Sequence, residues 1–229
     1  MDYNHIKYLN SELKKLNYFF HKKNYGLVIK KTKKIIKKNK NAIPFYNFLG
    51  LAYRKTGKIY LAEKIFLNAH KIDPKNTDVL ANLGGVYRIL EEFLKSKKYF
   101  ELGLKYNPND INLLCNFGNL KRDLNDIDES INLYKKAYKV KNNNPLALQN
   151  LVSAYQIIGE FGLSKKYSKI LLENFPEMTL VDKLLSYNIN YKEDNSHQKE
   201  MLLKLNNSLY NEEQKIPLYF GLAKSFEDQ

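Results

Sequence analysis

The chain has 229 residues, 44% hydrophobic and 27% charged, which excludes an intrinsically disordered polymer and fits a folding chain in water. No apolar run approaches the roughly 18 residues of a membrane span, and Cys115, the single cysteine, excludes an intrachain disulfide. The formal net charge of +14 raises the question of a nucleic-acid partner.

The distribution of that charge argues against one. Residues 1–42 hold 12 lysines against Asp2 and Glu12, while the rest of the chain holds 26 basic and 22 acidic residues. The composition favours Lys, Asn, Ile and Tyr, all with A/T-rich codons, so gene composition accounts for much of the excess. Nucleic acid and membrane insertion are therefore not expected. The N-terminus, Met1-Asp2-Tyr3-Asn4-His5, lacks a charged start followed by an apolar core, so no leader is expected and the cytoplasm is the expected compartment.

In chain order, residues 1–42 read as a worn helix pair. Leu13, Leu16 and Phe19 or Phe20 share one helical face, Asn24-Tyr25-Gly26 reads as the turn, and Val28, Thr32, Ile35 and Ile36 mark a second face. Lys30, Lys31, Lys33, Lys34, Lys37 and Lys38 lie opposite. They read as a solvated outer face, with an anion-binding surface as the alternative.

Residues 43–76 are the clearest copy of a motif that recurs every 34 residues. Gly50 returns as Gly84 and Gly118, Arg54 as Arg88 and Arg122, Phe66 as Phe100 and Tyr134, and Pro74 as Pro108. A fixed period of this size marks a stack of repeats. Pro44 suits the start of a helix, Gly57 a left-handed cap, and Asp73-Pro74 a stop. Further copies occupy 77–110, 111–144 and 145–178. The last has Val152 in the glycine place and Ser168 in the aromatic one, which predicts a somewhat splayed pair. Residues 179–229 read as a degenerate pair marked by Leu180, Leu184, Tyr187 or Tyr191, Met201, Leu202 and Leu205, with a cap at Asn195-Ser196. A lone first helix then opens at Ile216. All six prolines, Pro217 included, fall at predicted helix boundaries.

The places Tyr46, Leu49-Gly50, Tyr53, Ala62, Phe66, Ala69 and Pro74 resemble the tetratricopeptide repeat pattern. The resemblance implies an all-α, right-handed α-solenoid of stacked antiparallel helix pairs. It implies that the first helix of each pair lines a concave groove for an extended peptide or partner protein. Two rows of residues would lie there. Asn82, Asn116 and Asn150 offer amides that pair with a peptide backbone, and Arg54, Arg88 and Arg122 could clamp carboxylates. Residues facing water after plain duplication are the alternative. Similar asparagine ladders occur in peptide-binding members of the family. The expected function is a protein-interaction scaffold.

Nothing in the sequence points to catalysis or a cofactor. His5, His21, His70 and His197 have no metal-ligand spacing, no phosphate-binding glycine loop occurs, and Cys115 reads as a packed thiol near the groove. No metal or other cofactor is expected. Residues 215–228 resemble the segment that precedes the catalytic domain in bacterial tetratricopeptide-repeat sulfotransferases. The alternative expectation is thus the non-catalytic repeat half of such an enzyme.

Overall fold

A computed structural model describes residues 3–229; Met1 and Asp2, part of the stretch read for a leader, lie outside the described residues. Among the described residues the fold is all-α, with thirteen helices and no strand. They are α1 (Tyr3–His21), α2 (Tyr25–Lys38), α3 (Ile43–Lys55), α4 (Ile59–Ile72), α5 (Thr77–Ile89), α6 (Phe93–Tyr106), α7 (Ile111–Asp123), α8 (Ile127–Val140), α9 (Pro145–Ile157), α10 (Phe161–Asn174), α11 (Thr179–Ser186), α12 (Ser196–Leu205) and α13 (Glu212–Glu227). None is long and apolar enough to cross a membrane. The chain divides into two compact units, one ending at Leu120 and one beginning at Lys121.

The 34-residue period is written into the backbone as well as the side chains. Lys23, Gly57, Glu91, Asn125 and Gly159 all have φ between 56° and 77°, and they lie 34 residues apart. In each case the next residue's N–H reaches back five residues to a carbonyl of the preceding helix: Asn24 to Phe19, Lys58 to Tyr53, Glu92 to Tyr87, Asp126 to Lys121 and Glu160 to Tyr155, at 2.8–2.9 Å. This left-handed C-terminal closure satisfies carbonyls that the helix leaves open. Glycine adopts it freely, but Lys23, Glu91 and Asn125 hold it without that freedom. The first turn therefore centres on Lys23, and Gly26, expected in it, lies inside α2.

Helix starts repeat too. The side chains of Asn76, Asp110 and Asn144, again 34 apart, accept the N–H groups of Val79, Leu113 and Ala147 at 3.0–3.2 Å. Each satisfies one orphan donor of the following helix.

Packing in the first unit rests on glycine under an aromatic ring. A Cβ on Gly50 would lie 2.3 Å from the Phe66 ring, and one on Gly84 2.5 Å from Phe100. Each glycine lets the second helix set its ring on the backbone of the first. The Ser96 hydroxyl then donates to the Gly84 carbonyl at 2.8 Å. Tyr87 stacks on Tyr99, against which His70 stands edge-on.

The second unit contains the same devices with changes. Tyr155 stacks on Tyr167 with Tyr138 edge-on, each 68 residues beyond its counterpart. At the glycine and aromatic places stand Val152 and Ser168, both fully buried. The bulk has moved from the second helix to the first. The bond that matches Ser96–Gly84 persists as Ser164 to Val152, lengthened to 3.3 Å. At this contact the two helices stay within hydrogen-bond reach.

The end of the second unit departs further from expectation. Leu180 and Tyr187 are exposed, while α11 buries Val181, Asp182 and Leu185. Asn195 makes no capping bond; the Asp194 carboxylate takes the Ser196 N–H instead. The last helix begins at Glu212, four residues before Ile216, through a capping box between Asn211 and Gln214. Pro217 therefore lies inside a helix, within its second turn. Nor is α13 alone, since it packs on α11 and α12 around Leu185, Ile189, Tyr191, Met201, Leu218 and Leu222.

Candidate functional site

Three consecutive first helices of the first unit, α3, α5 and α7, line one cavity of about 370 Å³. Each contributes from matching places. Pro44, Asp78 and Asn112 are 34 apart, as are Asn47 and Ala81, and Phe48, Asn82 and Asn116. Within a helix these places are separated by three or four residues, so they form one face. Four asparagine amides thus meet in one depression, floored by Phe48, Leu51 and Ala81.

Asn82 and Asn116, both named from the 34-residue row, line this cavity. The Asn82 amide approaches Asn47 Oδ1 at 3.4 Å, a long bond that leaves donors and acceptors open. Asn47, Asn112 and Asp78 escape a search restricted to the period. The signal that would have found two of them is the four-residue step within one helix, Asp78 to Asn82 and Asn112 to Asn116.

Asn150 behaves differently. It lies in the second unit on α9, is buried to 9% exposure, and its Nδ2 has no hydrogen-bond partner. It is a core amide with an open donor rather than an accessible rung.

Arg54 and Arg88 do not line the cavity. Arg54 is half-buried, with its guanidinium against Gly85, where a Cβ would lie 3.1 Å from Nη1. Burial, and then the charge of Arg88, hold the Arg54 guanidinium below its usual pKa. No carboxylate among the described residues pairs with Arg54. Arg122, partly exposed, sits in the last turn of α7 and falls in the second unit. Cys115 is fully buried.

Asp78 is the one charged residue on the cavity wall. Asp78 is exposed to solvent, yet its carboxyl is held above the usual carboxylate range, first by desolvation against the wall and second by the charge of Asp110. Asp110 itself is engaged as the cap of α7.

A second polar cluster, unforeseen in the sequence, lies in the second unit. The Asp182 carboxylate, fully buried, receives Lys204 Nζ on both oxygens at 2.8 Å. His197 Nε2 lies 3.3 Å from Asp182 Oδ1, and His197 Nδ1 lies 2.7 Å from the Tyr191 hydroxyl. His197 and Lys204 also border a cavity of about 450 Å³. The cluster is a buried polar network that ties α11 to α12.

Comparison with known proteins agrees with this architecture. The tetratricopeptide repeat family model matches residues 43–76, 77–110 and 111–144. Residues 43–144 thus match tetratricopeptide repeats, modules that generally mediate protein–protein interaction. Similar solved structures include PilF of Pseudomonas aeruginosa, 13% identical over 92% of this chain and 96% of that one, with a TM-score of 0.68. Another is PilW, described as a widely conserved type IV pilus biogenesis factor, at 15% identity over 91% and 97% of the two chains, TM-score 0.69. YrrB, described as a TPR protein with an unusual peptide-binding site, is 15% identical over 86% of this chain and 96% of its own, TM-score 0.53. At these identities the likeness is one of fold. No curated protein sequence matches the chain.

Proposed function

We propose that the protein is an interaction scaffold that takes an extended segment of a partner protein across the faces of α3, α5 and α7. The observation that carries this reading is the convergence of Asn47, Asn82, Asn112 and Asn116 on one cavity. An amide both donates and accepts, so it matches a peptide unit whatever its side chain. The apolar floor of Phe48, Leu51 and Ala81 would take alternate side chains of the segment. Arg54, beside Arg88 and without a carboxylate of its own, is suited to an acidic group of the same partner. Asn150 and Arg122 belong to the second unit and are secondary to this reading.

The test is to pan a displayed library of short random linear peptides on the protein. Recovered peptides should bind the Asn82→Ala, Asn116→Ala variant roughly tenfold or more weakly, since each lost hydrogen bond is worth about 1 kcal/mol. Circular dichroism should show the fold of that variant intact. Failure to recover any peptide, or peptides held equally by both proteins, would remove the groove reading.

A further inference from the structure

We infer that the segment held in this cavity carries a lysine or arginine, and that Asp78 receives it. The inference rests on the groove reading above and adds the chemistry of one side chain. Its grounds are the composition of the wall and the state of one carboxylate.

The wall offers neutral amides, an apolar floor and a single charge, Asp78. A chain with a net charge of +14 has cations to spare. Yet no lysine or arginine among the described residues forms an ion pair or hydrogen bond with Asp78. Other carboxylates of the first unit do have partners. Glu63 accepts the Tyr87 hydroxyl at 2.9 Å, Asp110 accepts the Leu113 N–H at 3.0 Å, and Asp73 accepts the Lys75 N–H at 3.1 Å. Asp78 projects from the first turn of α5, four residues before Asn82, on the same helix face. Asp110 adds like charge without approaching as a partner. An ammonium or guanidinium in the cavity would meet Asp78 directly and relieve that repulsion, while the amides beside it take the backbone of the same segment. An acidic side chain placed beside Asp78 would be repelled by it. Asp78 is exposed at the cavity, so an incoming cation can reach it without displacing a side chain of this protein.

The experiment uses the peptides recovered by panning. Each lysine is replaced by norleucine and each arginine by citrulline, one at a time, and binding is measured to wild type and to Asp78→Asn. One basic residue should matter: its replacement, and Asp78→Asn, should each weaken binding about tenfold, and the two together should weaken it no further. Asp78→Lys should restore binding to a peptide with glutamate at that place, an outcome that damage to the fold would not give. Recovered peptides whose basic residues act independently of Asp78, or that contain none, would overturn the inference and leave the groove reading standing. Recovery of no peptide would overturn both.

Discussion

Between α3 and α6 the core is closed by size, with a bare glycine beneath an aromatic ring, whereas between α11 and α13 it is closed partly by charge. In the former, Phe66 and Phe100 settle on Gly50 and Gly84. In the latter, Asp182, Lys204, His197 and Tyr191 interlock, and Gln198 donates to Ser225 at 3.0 Å. Size complementarity recurs 34 residues on, at Gly50–Phe66 and Gly84–Phe100, because stacked copies pack through matching places. The ionic closure lies where the repeat pattern has worn away. A regular core and a locally negotiated one should therefore respond to substitution in different ways.

The largest effect is expected in the charged closure. Lys204→Ala leaves the fully buried Asp182 with the His197 imidazole, 3.3 Å away, as its remaining ion-pair-distance neighbour among the described residues. It should destabilise the second unit by about 3 kcal/mol or more, because an uncompensated buried charge costs more than the pair contributes. Hydrogen exchange should place the loss in α11 to α13. Replacing both partners, as Asp182→Leu with Lys204→Met, should recover most of it. Equal losses in the single and double variants would show that the pair does not act as a unit.

The size-based closure should break less severely and be open to repair. Gly84→Val should cost roughly 1–3 kcal/mol through overpacking against Phe100. Phe100→Ser alone should cost about 3 kcal/mol or more through the cavity it leaves. The double variant recreates the Val152 and Ser168 arrangement of the fourth copy. Denaturant melts should find it more stable than the sum of the single effects predicts, by roughly 0.5–3 kcal/mol. Strict additivity would mean that the exchange of bulk between helices is incidental.

What was legible in the sequence follows the same division. Helix pairs, their stacking and the glycine–aromatic contact all leave a mark at fixed intervals, so period alone exposes them. The same period picked out Asn82 and Asn116, which line one cavity. The Asp182 network was not, because Asp182, Tyr191, His197 and Lys204 come from one short helix, a loop and another helix, with no interval to link them. Pro217 misled for a related reason. Proline usually marks a boundary, but the Asn211–Gln214 capping box had already begun the helix. Asn150 kept its place in the row yet lost its exposure, because a period reports position and not what packs around it.

A smaller effect tests the backbone rather than the core. Glu91 has φ of 59°, at a place where Gly57 and Gly159 have 73° and 77°. Glu91→Gly should stabilise the first unit by about 0.5–1 kcal/mol, the left-handed cost exceeding the entropy glycine adds to the unfolded chain. Gly57→Ala should lose a similar amount. Matched changes in denaturation midpoint would show that the turn is set by the repeat and tolerated by the residue.

The smallest effect concerns Asp78, and its smallness separates a binding residue from a structural one. A folded-state carboxyl pKa raised above its unfolded value means that the folded chain holds the proton more tightly. Protonation then favours the fold, and ionisation at neutral pH costs a little stability. Asp78→Asn should therefore leave stability unchanged or raise it by no more than about 0.5 kcal/mol, the range of surface substitutions. Any gain should fade as pH falls through the Asp78 titration, where wild type becomes neutral as well. Asp182, by contrast, is held on both oxygens by Lys204, and losing that partner is destabilising. If Asp78→Asn instead lowered the melting temperature by several degrees, its carboxylate would be holding the start of α5 rather than waiting for a cation, and the two acidic residues would be doing the same kind of work.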